Sequence, residues 1–314
     1  MTYLDSLSKV LPVILLFGLG LVLNRRGWLR PETLADLKNL VIRLTLPLAL
    51  FLAFSRVSLE PRHAIIFAVM FGGCVSALLI GRALRRLVRS PSPYLPVLMT
   101  GFEAGMMGYA IYGAVYGADN LYKFGIVDLG QVVFVFFVLV GVLERQAAAT
   151  RPWTDTVRNF LTTPVILGIL LGIAASQLGV MSALAGLPPA DGLLRTIELL
   201  AGLTTPLIAL IIGCEMRLEP GQIREPLKAV GLRLIFWLPA GLIVNALVID
   251  RLLQLDRAFQ AAVLTMIVLP PPFVIPLFIK ADDQANRTFV VNTLSLATLV
   301  TLFAFAIVTI SYAP

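Results

Sequence analysis

Glu103 stands near the middle of an apolar run, inside Gly101-Phe102-Glu103-Ala104-Gly105-Met106-Met107-Gly108-Tyr109. An ionised carboxylate surrounded by hydrocarbon is costly, so this residue is expected to be held protonated or given a partner, and it is a functional candidate by default. The chemistry it offers is uptake and release of a proton, and we expect it to be the group that carries one. The structural alternative is a glutamate that only hydrogen-bonds a neighbouring helix. A second unusual stretch is Leu269-Pro270-Pro271-Pro272-Phe273-Val274-Ile275-Pro276. A single kink needs one proline. Three in a row remove three N–H donors and cannot continue a helix, so an unwound functional segment is expected there.

Other polar residues in apolar runs carry weaker signals. Asp128 and Gln131 form a pair that either lines the same cavity or sits in the outer membrane interface. Asn245 and Asn292 are expected to bridge helices, with substrate contact as the alternative. Thr45 with Pro47, and Thr204 with Pro206, read as kinks whose freed backbone groups a threonine hydroxyl can satisfy. Gly101 with Gly105, and Gly113 with Gly117, have the spacing of close helix packing. Glu144, Glu215 and the Asp282-Asp283 pair read as features of span ends. The lone His63 reads as an interface residue, and Cys74 and Cys214 as inert small hydrophobes. No HExxH, GxSxG, Walker or CxxC pattern occurs, and one histidine cannot build a metal cluster. The chain is therefore expected to be neither an enzyme nor a self-powered pump, and to need no cofactor.

The elements that position these residues follow from composition. Of 314 residues, 58% are hydrophobic and 14% charged, with a mean hydropathy of +0.91. Soluble domains hold about a quarter charged residues, so this is a polytopic membrane protein without a separate soluble domain. The net charge of +7 does not point to nucleic acid. Runs of about 20 apolar residues cross a bilayer. Ten are expected, near 8–23, 38–55, 64–84, 94–116, 122–143, 159–179, 193–213, 229–249, 258–279 and 288–311. The first is read as a retained helix, not a signal peptide. Alternate links divide the cations 18 against 7. The rich set (Arg25 to Arg43, Arg82 to Arg89, Arg145 to Arg158, Arg217 to Arg233, Lys280 and Arg287) is expected in the cytoplasm, and both termini outside.

The chain also repeats itself. Leu44-Thr45-Leu46-Pro47-Leu48 returns as Leu203-Thr204-Thr205-Pro206-Leu207, in a register held to Leu59-Glu60-Pro61 and Leu218-Glu219-Pro220. Pro12-Val13-Ile14-Leu15 returns as Pro164-Val165-Ile166-Leu167, with Leu19-Gly20 on Leu171-Gly172. Two halves of five spans, residues 1–150 and 151–314, must cross the membrane in opposite directions, which is the architecture of secondary transporters. The two unusual stretches then fall in corresponding fourth and ninth spans, the best pointer to a substrate site.

The order and spacing of these segments resemble the auxin efflux carrier family, which includes plant carriers and bacterial permeases for malonate and malate. The resemblance rests on Leu44-Thr45-Leu46-Pro47-Leu48, Thr162-Thr163-Pro164 with Gly168 and Gly172, and Thr204-Thr205-Pro206-Leu207 leading to Ile212-Gly213. Gly105-Met106-Met107-Gly108 and the proline-rich ninth span complete it. It implies an all-α fold of ten transmembrane helices, with helices 4 and 9 unwound and crossing near the midplane. Helices 1, 2, 6 and 7 would form a scaffold, often dimeric, and the rest a moving transport domain. It further implies a small organic anion as substrate, bound beside the crossover by half-helix N-termini. On this chain the expected site is Glu103, Gly105, Gly108, Tyr109, Asp128, Gln131, Pro270, Pro271, Pro272 and Asn292. The coupling ion is expected to be a proton, with sodium as the alternative, and the location a bacterial inner membrane. One departure stands out. Family members commonly carry Asn where Glu103 stands and Pro where Ala110 stands. An asparagine can donate to a carboxylate, whereas an ionised glutamate repels one. Either Glu103 is protonated when an anion binds, or the solute is cationic or zwitterionic.

Overall fold

The computed structural model describes all residues except 1–2, 56, 58–59, 148–151, 185–187, 217–222, 281 and 313–314; for 3–10 and 188 it describes only the backbone. Leu59 and Leu218-Glu219-Pro220 of the repeated register, and the loop arginines Arg56, Arg151 and Arg217, lie outside the described residues.

The described residues form helices joined by short links, with no strand among them. That is what a chain in hydrocarbon must do, because every backbone N–H and C=O needs an internal partner. Six helices are long and apolar enough to cross a bilayer: Pro31–Ser55, His63–Leu87, Ala118–Gln146, Pro189–Glu215, Arg224–Leu252 and Gln284–Ser311. They are the expected second, third, fifth, seventh, eighth and tenth spans. The first span is Tyr3–Arg25. The sixth is a bent pair, Trp153–Thr162 and Pro164–Gln177, at 61°. The expected sixth span, near 159–179, runs across this bend. Thr163 precedes a proline and takes the extended conformation that proline imposes on its predecessor, so the helix cannot pass through it. The fourth and ninth spans are broken, as their glycines and prolines require. One runs as Leu95–Leu98 and then Ala104–Tyr116; the other as Arg257–Val268 and then the short turn Ile275–Phe278.

Two close helix crossings hold the rest of the bundle. The first span lies along the seventh, and the sixth along the second. A Cβ on Gly20 would stand 2.2 Å from the Leu210 carbonyl oxygen, and one on Gly172 would stand 2.7 Å from that of Phe51. Backbones approach this closely only where the side chain is absent, which is how helices associate without a hydrophobic drive between them. The other spans wrap the two broken ones, whose residues are among the most buried in the molecule.

Candidate functional site

The fourth-span break runs from Met99 to Glu103. Gly101 has φ +66, a conformation L side chains avoid, and a Cβ there would lie 2.8 Å from Pro272 Cγ. Glycine thus lets the two breaks touch, and the Glu103 N–H donates to the Pro270 carbonyl at 2.9 Å. Beyond the break, the second half-helix presents free N–H groups. Glu103 is its N-cap: Oε1 accepts from the Met106 N–H at 3.0 Å. Oε2 accepts from the Phe273 N–H at 2.6 Å. Phe273 follows Pro270, Pro271 and Pro272, which have no N–H to give, so its amide is the first donor the ninth-span break offers. One carboxylate therefore holds the donor ends of both broken helices, where a negative charge is favoured.

The acceptor ends are held by a cation. Arg233 donates from Nη1 to the Leu98 carbonyl at 3.1 Å, and from Nη2 to those of Gly101 and Leu269 at 2.6 and 3.2 Å. Its guanidinium lies 4.7 Å over the Phe102 ring. Trp237, one turn on, donates to the Met99 carbonyl at 2.8 Å. Arg233 was expected among the loop cations. Instead it is 3% exposed, about 14 Å into the eighth span at 1.5 Å per residue. Lys123 is likewise not a loop charge: it is buried in the fifth span and paired with Asp256, the N-cap of the ninth.

The fifth span supplies a third brace. Gln131 receives the Phe102 N–H on Oε1 and donates Nε2 to the Phe102 carbonyl, both at 3.2 Å. Its Nε2 also donates to Asp128 Oδ1 at 2.8 Å, and the Tyr109 hydroxyl donates to Asp128 Oδ2 at 2.9 Å. Asp128 is 4% exposed. It lies behind the break, bonded to Gln131 and Tyr109. The structure thus joins Glu103, Tyr109, Asp128, Gln131 and the three prolines into one cluster. Gly108 belongs to it by packing, since a Cβ there would meet Phe124 at 2.4 Å. Gly105 does not serve packing. A Cβ there would find only Glu103 Oε1, at 4.0 Å, so the space beside the carboxylate is unfilled. Asn292 is fully buried on the tenth span.

Cavities approach the cluster from opposite ends. The larger, about 920 Å³, opens among the turns near 60–63, 118–122 and 254–256 and reaches Tyr109, Thr204 and Thr205. The smaller, about 230 Å³, opens beside Lys38 and Glu215 and reaches Phe273 and Pro276. Lys38 and Glu215 form an ion pair at its rim. Thr45 and Thr204 correct an expectation. Each hydroxyl is buried without a hydrogen-bond partner among the described residues, so neither repays the backbone groups its proline frees. Glu144 is buried too, not at a solvated span end. Asn245 bridges as expected, donating to the Gln260 carbonyl at 3.0 Å. Arg233, the member of the site that sequence reasoning missed, left one signal: it is followed by Leu234-Ile235-Phe236-Trp237, well inside the apolar run.

No curated protein matches the chain. A family model described as Membrane transport protein matches residues 5–151, which covers Glu103, Gly105, Gly108, Tyr109, Asp128 and Gln131. Over those residues, just under half of its length, the chain is similar to the membrane transport family that includes the auxin efflux carriers.

Proposed function

We propose that the protein is a secondary transporter that carries a small organic carboxylate by alternating access, with a proton on Glu103. The observation behind this reading is the double cap: the Glu103 carboxylate occupies the two N–H donors, of Met106 and Phe273, that an anionic solute would need. An ionised Glu103 and a bound carboxylate then compete for the same donors. Protonation removes the negative charge and turns one Glu103 oxygen into a hydroxyl, a donor and only a weak acceptor, so the two N–H groups are held less tightly. A solute carboxylate can then take one of them, with Gly105 leaving room beside it. Anion and proton would load together and leave together.

The paired contacts support reading the two halves as an inverted repeat. Gly20 meets Leu210 as Gly172 meets Phe51, and each of these pairs lies in the registers the sequence repeat defines. Spans 1, 2, 6 and 7 would then be the scaffold and the site of homodimer contact, with the broken spans in the moving part. On this reading the smaller cavity, at the end of the cation-rich links, would face the cytoplasm of a bacterial inner membrane and the larger the outside.

The test is uptake of labelled carboxylates into proteoliposomes under an imposed pH gradient, comparing the natural protein with Glu103→Gln. Proton-driven accumulation that the substitution abolishes supports the reading; unchanged accumulation and pH dependence in Glu103→Gln overturns it. One observation favours a second reading. The larger cavity is lined by Glu60, Asp119, Glu198 and Asp256 against Arg62 and His63. Glu60, Glu198 and Asp256 are paired with Arg62, Arg195 and Lys123, and the slight acidic excess that is left favours a cation over an anion. In that reading the solute is an amino acid or an organic cation, Glu103 is its counter-charge, and the same assay would accumulate an amine in place of a carboxylate.

A further inference from the structure

A third cavity, about 510 Å³, lies away from the breaks, between the ends of the third and fifth spans and the start of the fourth. Its lining includes Arg82, Arg85, Arg86 and Arg89, with the amide of Gln146 and the hydroxyl of Ser90, and no carboxylate. Arg82, Arg85 and Arg86 fall at i, i+3 and i+4 of the third span, His63–Leu87, and share a face, while Arg89 lies just past its end. None forms an ion pair among the described residues. Leu78, Val97 and Val142 give the cavity an apolar wall.

A topological signal needs cations near a span end, but it does not need them to converge on a cavity. The last of them is also held at a cost. Arg89 has φ +50 at the helix terminus, with the Ser90 N–H reaching back to the Arg85 carbonyl at 3.0 Å. That left-handed position ordinarily falls to glycine. A glycine would relieve the backbone and remove a guanidinium from the cavity mouth. Gln146 Oε1 is buried with no hydrogen-bond partner, while its Nε2 donates to the Pro93 carbonyl at 3.4 Å.

We propose that this cavity is a binding site for a phosphate-bearing anion, held by forked contacts from the four guanidinium groups. Planar guanidinium groups match phosphate oxygens two at a time, and basic pockets between spans on the cytoplasmic side suit anionic headgroups. Pro96 and Val97 of the same lining belong to the first half of the broken fourth span, and Pro93 precedes it. The bound anion therefore braces the half-helix whose carbonyls Arg233 holds, and links the site to the transport cycle without touching Glu103.

The test is thermal unfolding of the full-length purified protein in two arms. In the first, mixed micelles containing phosphatidylglycerol are compared with phosphatidylcholine. In the second, pyrophosphate is compared with chloride at matched ionic strength. A melting temperature raised by phosphatidylglycerol alone identifies a lipid headgroup; one raised by pyrophosphate identifies a soluble anion. Each Arg→Gln change among the four should weaken binding about fivefold. Val142→Phe, which fills the apolar wall and leaves the charges, should weaken it as well. Arg145→Gln, an exposed cation outside the cavity, should leave the response intact. No response in either arm, or an equal loss in Arg145→Gln and Arg85→Gln, overturns the proposal.

Discussion

At the scale of single residues, the site is two opposite charges on two broken helices. Glu103 takes the donor ends and Arg233 the acceptor ends, each with the sign the helix dipole favours. Glu103→Gln keeps the volume but offers only one acceptor, so an amide NH2 must face a backbone N–H. One buried donor pair then clashes, at about 1–3 kcal/mol. The expected result is a lower melting temperature together with loss of pH-dependent transport. Retained coupling in a destabilised Glu103→Gln would reduce the residue to a cap. Arg233→Met removes the donors to three buried carbonyls, and a loss on the order of 3 kcal/mol is expected in chemical unfolding. Arg233→Lys should recover only part of this, because an ammonium lacks the fork that reaches both breaks. Glu103 was legible in the sequence because a lone acid in an apolar run has no cheap explanation. Arg233 was not, because arginines near span ends are ordinary topological signals and nothing in the sequence measures how far a helix is sunk.

Among the elements, the breaks were legible and the bends less so. Pro270, Pro271 and Pro272 remove donors wherever they stand, so the ninth span had to open whatever packed around it. The bend at Thr163 follows from the restriction on a residue before proline, a weaker signal that hydropathy overrode. The hydroxyls of Thr45 and Thr204 show the limit of local rules: each can reach a freed carbonyl in principle, and neither does. The straight spans depend on glycine instead. A Cβ at Gly213 would sit 2.1 Å from the Phe17 carbonyl oxygen, backbone that cannot swing aside. Gly213→Ala should therefore push the first and seventh spans apart and cost about 1–3 kcal/mol. Gly231→Ala, which meets nothing within 4 Å, should be neutral or slightly stabilising. Parallel unfolding curves of the two variants measure this, and equal curves would show that the close crossing carries no weight.

For the whole molecule, the sequence foretold the spans and the place of the breaks, but not which side of the breaks is open. That depends on how the spans tilt against one another, and hydropathy contains no information on tilt. The structure has a cavity of about 920 Å³ at one end and of about 230 Å³ at the other, with the Glu103 cluster between them. In an alternating-access cycle this arrangement is one end state, and a solute gradient should exchange the two openings. Ala201 lines the larger cavity and Val291 the smaller. Single cysteines at these positions, with the buried Cys74 and Cys214 replaced by alanine, make the exchange measurable. A membrane-impermeant thiol reagent should label Ala201→Cys quickly from outside and Val291→Cys slowly from the cytoplasmic side. Transported solute should slow the first and speed the second together, because one rigid movement closes one cavity as it opens the other. Glu103→Gln should fix both rates, since a site that cannot exchange its proton cannot complete the cycle. Labelling of Ala201→Cys only from the cytoplasm would invert the orientation, and rates that ignore solute in every variant would leave the protein with a single fixed opening, which is a receptor's geometry rather than a carrier's.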